Sequence, residues 1–206
     1  MALDAQPPGI NRRRWLWAGI TATSLRAWGA AGLSATWDGD NLHVAAPQLH
    51  FLAGKPLERL KDGLSVVFVS QLTLFADSRN AIFRRTPDRL VVSYDLWEER
   101  FSVTRLGGAP QTRSHLTTAA AEAWAVESLW ISAAGLTPTR TFWLRLEIRP
   151  VDPKETQSVV GEGGISLTRL VEIFSRRPGA ADLVWSLEAG PLRLADLKRV
   201  PGRTSG

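Results

Sequence analysis

Hydrophobic and polar positions alternate most clearly between residues 90 and 106. Leu90, Val92, Tyr94 and Leu96 interleave with Val91, Ser93, Asp95 and Trp97, the period-two pattern of a strand with one buried face. Glu98, Glu99 and Arg100 break the pattern, and Phe101, Val103 and Thr104 resume it until Gly107, Gly108 and Pro110 stop it. The stretch predicts a β-hairpin, and the remaining elements are placed around it.

Upstream, Asp38-Gly39-Asp40-Asn41 reads as a turn, followed by a strand over residues 42–52 in which Pro47 marks a bulge or an edge. A short helix is expected at residues 55–63, with Pro56 in its first turn and Gly63 as its stop. Residues 64–75 read as a long strand. Leu64, Val66, Phe68, Leu72 and Leu74 share one face, while Val67 and Val69 make the other face partly apolar. Asp77 to Asn80 is a turn. Ile82 and Phe83 start a strand that Thr86-Pro87-Asp88 interrupts.

Downstream, residues 109–114 read as a loop. Thr117 or Thr118 caps a helix whose buried stripe is Val126, Leu129, Trp130 and Ala133, with Glu122 in the first turn and Gly135 as the stop. In residues 141–149, Phe142, Leu144, Leu146 and Ile148 face inward, and Trp143, Arg145, Glu147 and Arg149 face outward. A flexible connector at 157–164 and a helix beginning at Ser166 follow. The tail carries Trp185, Leu187, Leu192, Leu194 and Leu197. The expected fold is α+β, an antiparallel sheet of about five strands with amphipathic helices packed on one face.

Composition narrows the functional classes. The chain is 44% hydrophobic and 22% charged, which is a globular balance. It has no cysteine, so disulfides, thiolate metal sites and a cysteine nucleophile are excluded. The formal charge is +5, but residues 1–35 hold four arginines and one aspartate, and without them it is +2. The rest of the basic charge is dispersed among acids, so no nucleic-acid partner is expected.

That N-terminal charge has a pattern of its own. Arg12, Arg13 and Arg14 precede Trp15 to Leu25, a stretch apolar apart from Thr and Ser. This is the layout of an export signal, and Arg12-Arg13 with Trp15 and Leu16 resembles the twin-arginine type. Asn11 stands where that signal has Ser or Thr, and no clean Ala-x-Ala site follows. Residues 1–35 are assigned to an export signal or membrane anchor, 36–200 to a single domain, and 201–206 to a disordered tail. The expected location is the periplasm, free or membrane-anchored.

The hairpin, the helix with Trp124 and Trp130, the Leu60-Lys61-Asp62-Gly63 helix end and the Phe142 to Ile148 strand together resemble a bacterial domain-of-unknown-function family of short exported proteins. The resemblance covers residues 42–150. It implies the same fold and compartment, and it carries no catalytic residues.

Recognisable chemistry is sparse. His43 and His50 are seven apart, so a regular strand puts them on opposite faces and a shared metal would need a bulge. No nucleophile elbow, His-Glu-x-x-His or Walker loop occurs. Gly161-Glu162-Gly163-Gly164 lacks the following Lys-Ser/Thr and reads as a linker. Glu98 and Glu99 form a charged turn, and Asp95 is placed to pair with Arg105 or Arg145 across the sheet. No catalytic residue, metal or cofactor is therefore assigned. Nine tryptophans are unusual. Trp97 and Trp143 fall on the outward side of their strands. With Tyr94, Asp95 and Arg145 they form the candidate interaction surface, facing an envelope protein or a membrane surface. The alternatives are a small envelope enzyme with a dispersed carboxylate/arginine site, and a lipid-facing carrier.

Overall fold

The computed structural model describes residues 32–151 and 183–201. Arg12, Arg13, Trp15 and Leu16, expected to belong to an export signal, the connector expected at 157–164 and the helix expected from Ser166 lie outside the described residues.

The order is β1 (Ser34–Trp37), β2 (Asn41–Ala45), α1 (Lys55–Lys61), β3 (Val66–Ala76), β4 (Ile82–Asp95), β5 (Arg100–Arg105), β6 (Gln111–Leu116), α2 (Thr118–Glu127), β7 (Trp130–Ser132), β8 (Phe142–Pro150) and β9 (Trp185–Leu192). A single 3-10 turn, Leu194–Asp196, follows. The strands form two antiparallel sheets, a three-stranded one in the order β1-β2-β7 and a six-stranded one in the order β6-β5-β4-β3-β8-β9. The fold is thus rich in antiparallel sheet, as the patterning predicts, but nine described strands in two sheets replace the expected five.

One cluster of buried side chains joins the parts. Val66, Phe68, Leu72 and Leu74 of β3 meet Leu90 and Val92 of β4, and Leu144, Leu146 and Ile148 of β8. Leu42 and Val44 of β2, Ile131 of β7, Leu60 of α1, and Ala121 and Val126 of α2 belong to the same cluster. Phe51 packs edge-on against Phe68 with ring centroids 5.0 Å apart, and Trp185 lies beside both rings. Strand β3 is buried along its whole length because it is central and paired on both sides.

Three local expectations are corrected. Strand β4 runs straight through Pro87. Pairing with β5 begins only at Leu90, so at Pro87 the strand is bonded on the β3 side alone, where a residue lacking an N–H is tolerated. The helix capped by Thr117, whose hydroxyl accepts from Ala120 N–H at 3.3 Å, ends at Glu127 and not near Gly135. Leu129, Ile131 and Ala133 are then buried on strand alternation, and Trp130, paired with His43, stays 43% exposed. The loop expected at residues 109–114 is in fact largely strand: Gln111–Leu116 form the exposed edge strand β6.

Buried polar groups tie the helices to the sheets. Glu122 accepts Leu52 N–H at 2.8 Å and faces His50 Nδ1 at 2.9 Å. Asp88 accepts N–H bonds from Arg89 and Gly107 and lies 3.7 Å from Arg105, which also donates to Ser128 O. Burial nevertheless pushes the Asp88 carboxyl above its ordinary range. Gly107 is required by proximity, since a Cβ there would sit 2.3 Å from Asp88 Oδ1.

Candidate functional site

Three regions carry chemistry. The first is the end of the large sheet where β4 turns into β5. Residues 96–99 make the turn, and Asp95 Oδ1 sets it by accepting Trp97 N–H at 2.8 Å and Glu98 N–H at 3.0 Å. Those bonds from Glu98 and Trp97 hold the Asp95 carboxyl below its ordinary range. Trp97 projects from this turn 96% exposed, and Leu96 is 54% exposed beside it. Leu96 leans over Gly63 at the end of α1, and Leu64, 53% exposed, follows directly. Three large apolar side chains therefore stand at one end of the molecule. Around them Asp62, Asp95, Glu98 and Glu99 are exposed, against Lys61 and Arg100. Glu98 is 2.6 Å from His115 on β6.

The second region lies on the outer face of the small sheet. The turn after β1 brings Asp38 to His43, with Oδ2 to Nε2 at 2.8 Å, and Asp38 also accepts N–H bonds from Asp40 and Asn41. Burial opposes the charge on Asp38, but the bonds from His43, Asn41 and Asp40 outweigh it and hold the carboxyl far below its ordinary value. His43 lines a cavity of about 260 Å³ with Ser34, Thr36 and Glu127. Asp38 orients the His43 imidazole through Nε2. Ser34, however, spends its hydroxyl on Ala45 O, and no hydroxyl among the described residues bonds to His43.

The third region is the polar face of the large sheet. There Gln71 and Thr73 of β3 floor a cavity of about 350 Å³, flanked by Arg85 of β4 and by Arg145 and Glu147 of β8. Arg145 is locked by Glu188 of β9, with Nε to Oε1 at 2.6 Å, and lies 5.0 Å from the Phe75 ring centroid.

The five residues of the expected surface separate. Trp97 and Asp95 meet at the turn. Tyr94 packs towards the core against Phe101, with centroids 4.7 Å apart. Trp143 and Arg145 lie elsewhere, because β3 separates β4 from β8 and Trp143 pairs with Phe75. The register puts Trp97 and Trp143 about twelve residues apart along the strand direction, roughly 40 Å. They do not share a patch. Trp143 is partly buried, its indole N–H is closed off from solvent, and Gly190 packs against its ring. Asp95 pairs with neither Arg105 nor Arg145, which form ion pairs with Asp88 and Glu188.

His43 and His50 have separate acidic partners, and no cluster of three or more metal-ligating side chains occurs among the described residues. The Asp38–His43 pair was hidden because its two members lie five apart across a turn. The turn signal at Asp38 to Asn41, read together with a preceding strand, is what would have found it. No helix among the described residues is long and apolar enough to cross a membrane. No family model, curated protein or solved structure matches the chain.

Proposed function

We propose that this chain is a non-catalytic interaction module of the cell envelope, and that it docks through the Leu64, Leu96 and Trp97 tip. The observation that carries this reading is the near-complete exposure of Trp97 on a turn fixed by Asp95. An indole held out on an ordered turn loses little entropy when a partner covers it, and such anchors dominate binding energy. The envelope location rests on the basic leader pattern at residues 12–25.

The rim chooses between the two expected partners. Four exposed acids, one of them paired with His115, against Lys61 and Arg100 disfavour an anionic lipid surface. They suit an apolar pocket on a protein rimmed by basic groups. The partner is therefore a protein. The carrier reading gains no support from the two cavities, since both are lined in part by charged or hydroxyl groups and neither is a long apolar groove.

Native electrophoresis of envelope extracts from cells making the full chain tests the reading. A discrete complex that Trp97→Ala depletes at least about tenfold supports it, the loss expected of a central aromatic anchor. A complex equally abundant with Trp97→Ala contradicts it. So does flotation of the chain with phosphatidylglycerol vesicles that depends on Trp97.

A further inference from the structure

The polar cavity on the large sheet lies apart from the tip. Strand β3 is the central strand, yet its face opposite the main core changes from Val67 and Val69 to Gln71 and Thr73, all of them buried. Buried polar side chains on a central strand cost stability unless they have partners. Here they have one bond, from Gln71 Nε2 to Thr73 Oγ1 at 3.3 Å. Because Thr73 accepts that bond, its own O–H remains to donate, and Gln71 Oε1 remains to accept.

The register builds the walls. Thr73 lies between Arg85 on β4 and Arg145 on β8, and Gln71 lies beside Glu147. Strands are about 4.8 Å apart, so Arg85 and Arg145 bracket Thr73 with Cα atoms roughly 10 Å apart. Arg145 is held by Glu188 and by the Phe75 ring. Arg85, and Arg79 from the turn after β3, have no ion-pair partner among the described residues, and both line the cavity.

We propose that this cavity binds a small hydroxylated organic anion, its acidic group between Arg79 and Arg85 and its hydroxyls on Thr73, Gln71 and Glu147. Two free guanidinium groups supply planar donors for a carboxylate or phosphate. Glu147 and Gln71 Oε1 are acceptors, so a bare inorganic anion would leave Glu147 facing like charge. A ligand with hydroxyl donors at its other end satisfies both. The recess, about 350 Å³ and open to solvent on one side, has room for one sugar-sized molecule. The acids Glu147 and Glu188 interrupt the basic surface, which disfavours a nucleic-acid strand.

Calorimetric titration of the full chain tests this, with glucose 6-phosphate, glucuronate, inorganic phosphate and glucose as separate probes. Saturable binding of glucose 6-phosphate or glucuronate is expected, and whichever binds identifies the acidic group. Inorganic phosphate should bind at least about tenfold more weakly, and glucose should give no heat of binding. Arg85→Gln and Arg79→Gln should each weaken binding about tenfold, while Arg113→Gln on the far edge strand leaves it unchanged. No saturable binding of either acid overturns the proposal. So do wild-type affinity in both arginine variants, equal affinity for inorganic phosphate, and tighter binding of a single-stranded oligonucleotide.

Discussion

Trp97 and Trp143 look alike in sequence, each outward in an alternating pattern, but Trp97 stands on the turn between β4 and β5 and Trp143 within β8 of the same sheet. At the Trp143 end, β9 closes over the ring, Gly190 leaves no room for a Cβ, and Phe75 pairs across the strand. At the Trp97 end nothing among the described residues covers the ring, and the turn beneath it is tied by Asp95. One indole fills a gap in the sheet and the other is held out into solvent. Strand parity assigns a face, whereas strand order and register decide which residues meet.

The largest effects should come at the covered end. Trp143→Ala should lower unfolding free energy by about 3 kcal/mol, measured by urea denaturation, because a packed ring is removed. Gly190→Ala should cost about 2 kcal/mol or more. Its Cβ would stand 2.4 Å from Trp143 Cδ1, and its φ of 138° lies in the region that favours glycine. A loss below about 0.5 kcal/mol for both would mean that Trp143 is as free as Trp97.

At the open end, the Asp95 turn should respond to pH. The Asp95 carboxyl is held below its ordinary value of 3.8 by the Glu98 and Trp97 N–H groups. Its contribution is therefore complete above 3.8 and is lost as pH falls through the lowered folded value. The amide resonances of Trp97 and Glu98 should move in that acid range, and Asp95→Asn should abolish the movement. Movement centred above 3.8 would contradict the depressed carboxyl.

The smallest effect on stability belongs to Trp97→Ala, expected within about 0.5 kcal/mol of wild type in the same denaturation series. A loss as large as that of Trp143→Ala would show that the tip is packed and would erase the contrast.

Much of the fold was legible. Phe142, Leu144, Leu146 and Ile148 are all fully buried, as their alternation requires, and Thr117 caps α2. The hairpin joining β4 and β5 pairs Leu90 with Arg105 and Asp95 with Arg100, inside the stretch where the pattern was clearest. The small sheet was not legible, for physical reasons. β7 is three residues long and exists because Asn41, Leu42 and His43 pair with it. β1 begins at Ser34, inside the stretch assigned to the leader. β6 is polar and exposed, so its strand character comes from pairing with β5 and not from its own side chains. In the candidate site, the exposure of Trp97 could be anticipated from the polar turn around it. Its separation from Trp143 could not, because nothing local to either strand states that β3 lies between them.

A photoactivatable residue placed at position 97 of the full chain, in living cells, tests the docking tip most directly. A discrete protein adduct is expected at 97, absent when the same probe replaces Arg113 and lost on adding Leu64→Asp. Adducts of equal yield at both positions, adducts to lipid, or no adduct at 97 would contradict docking through the tip.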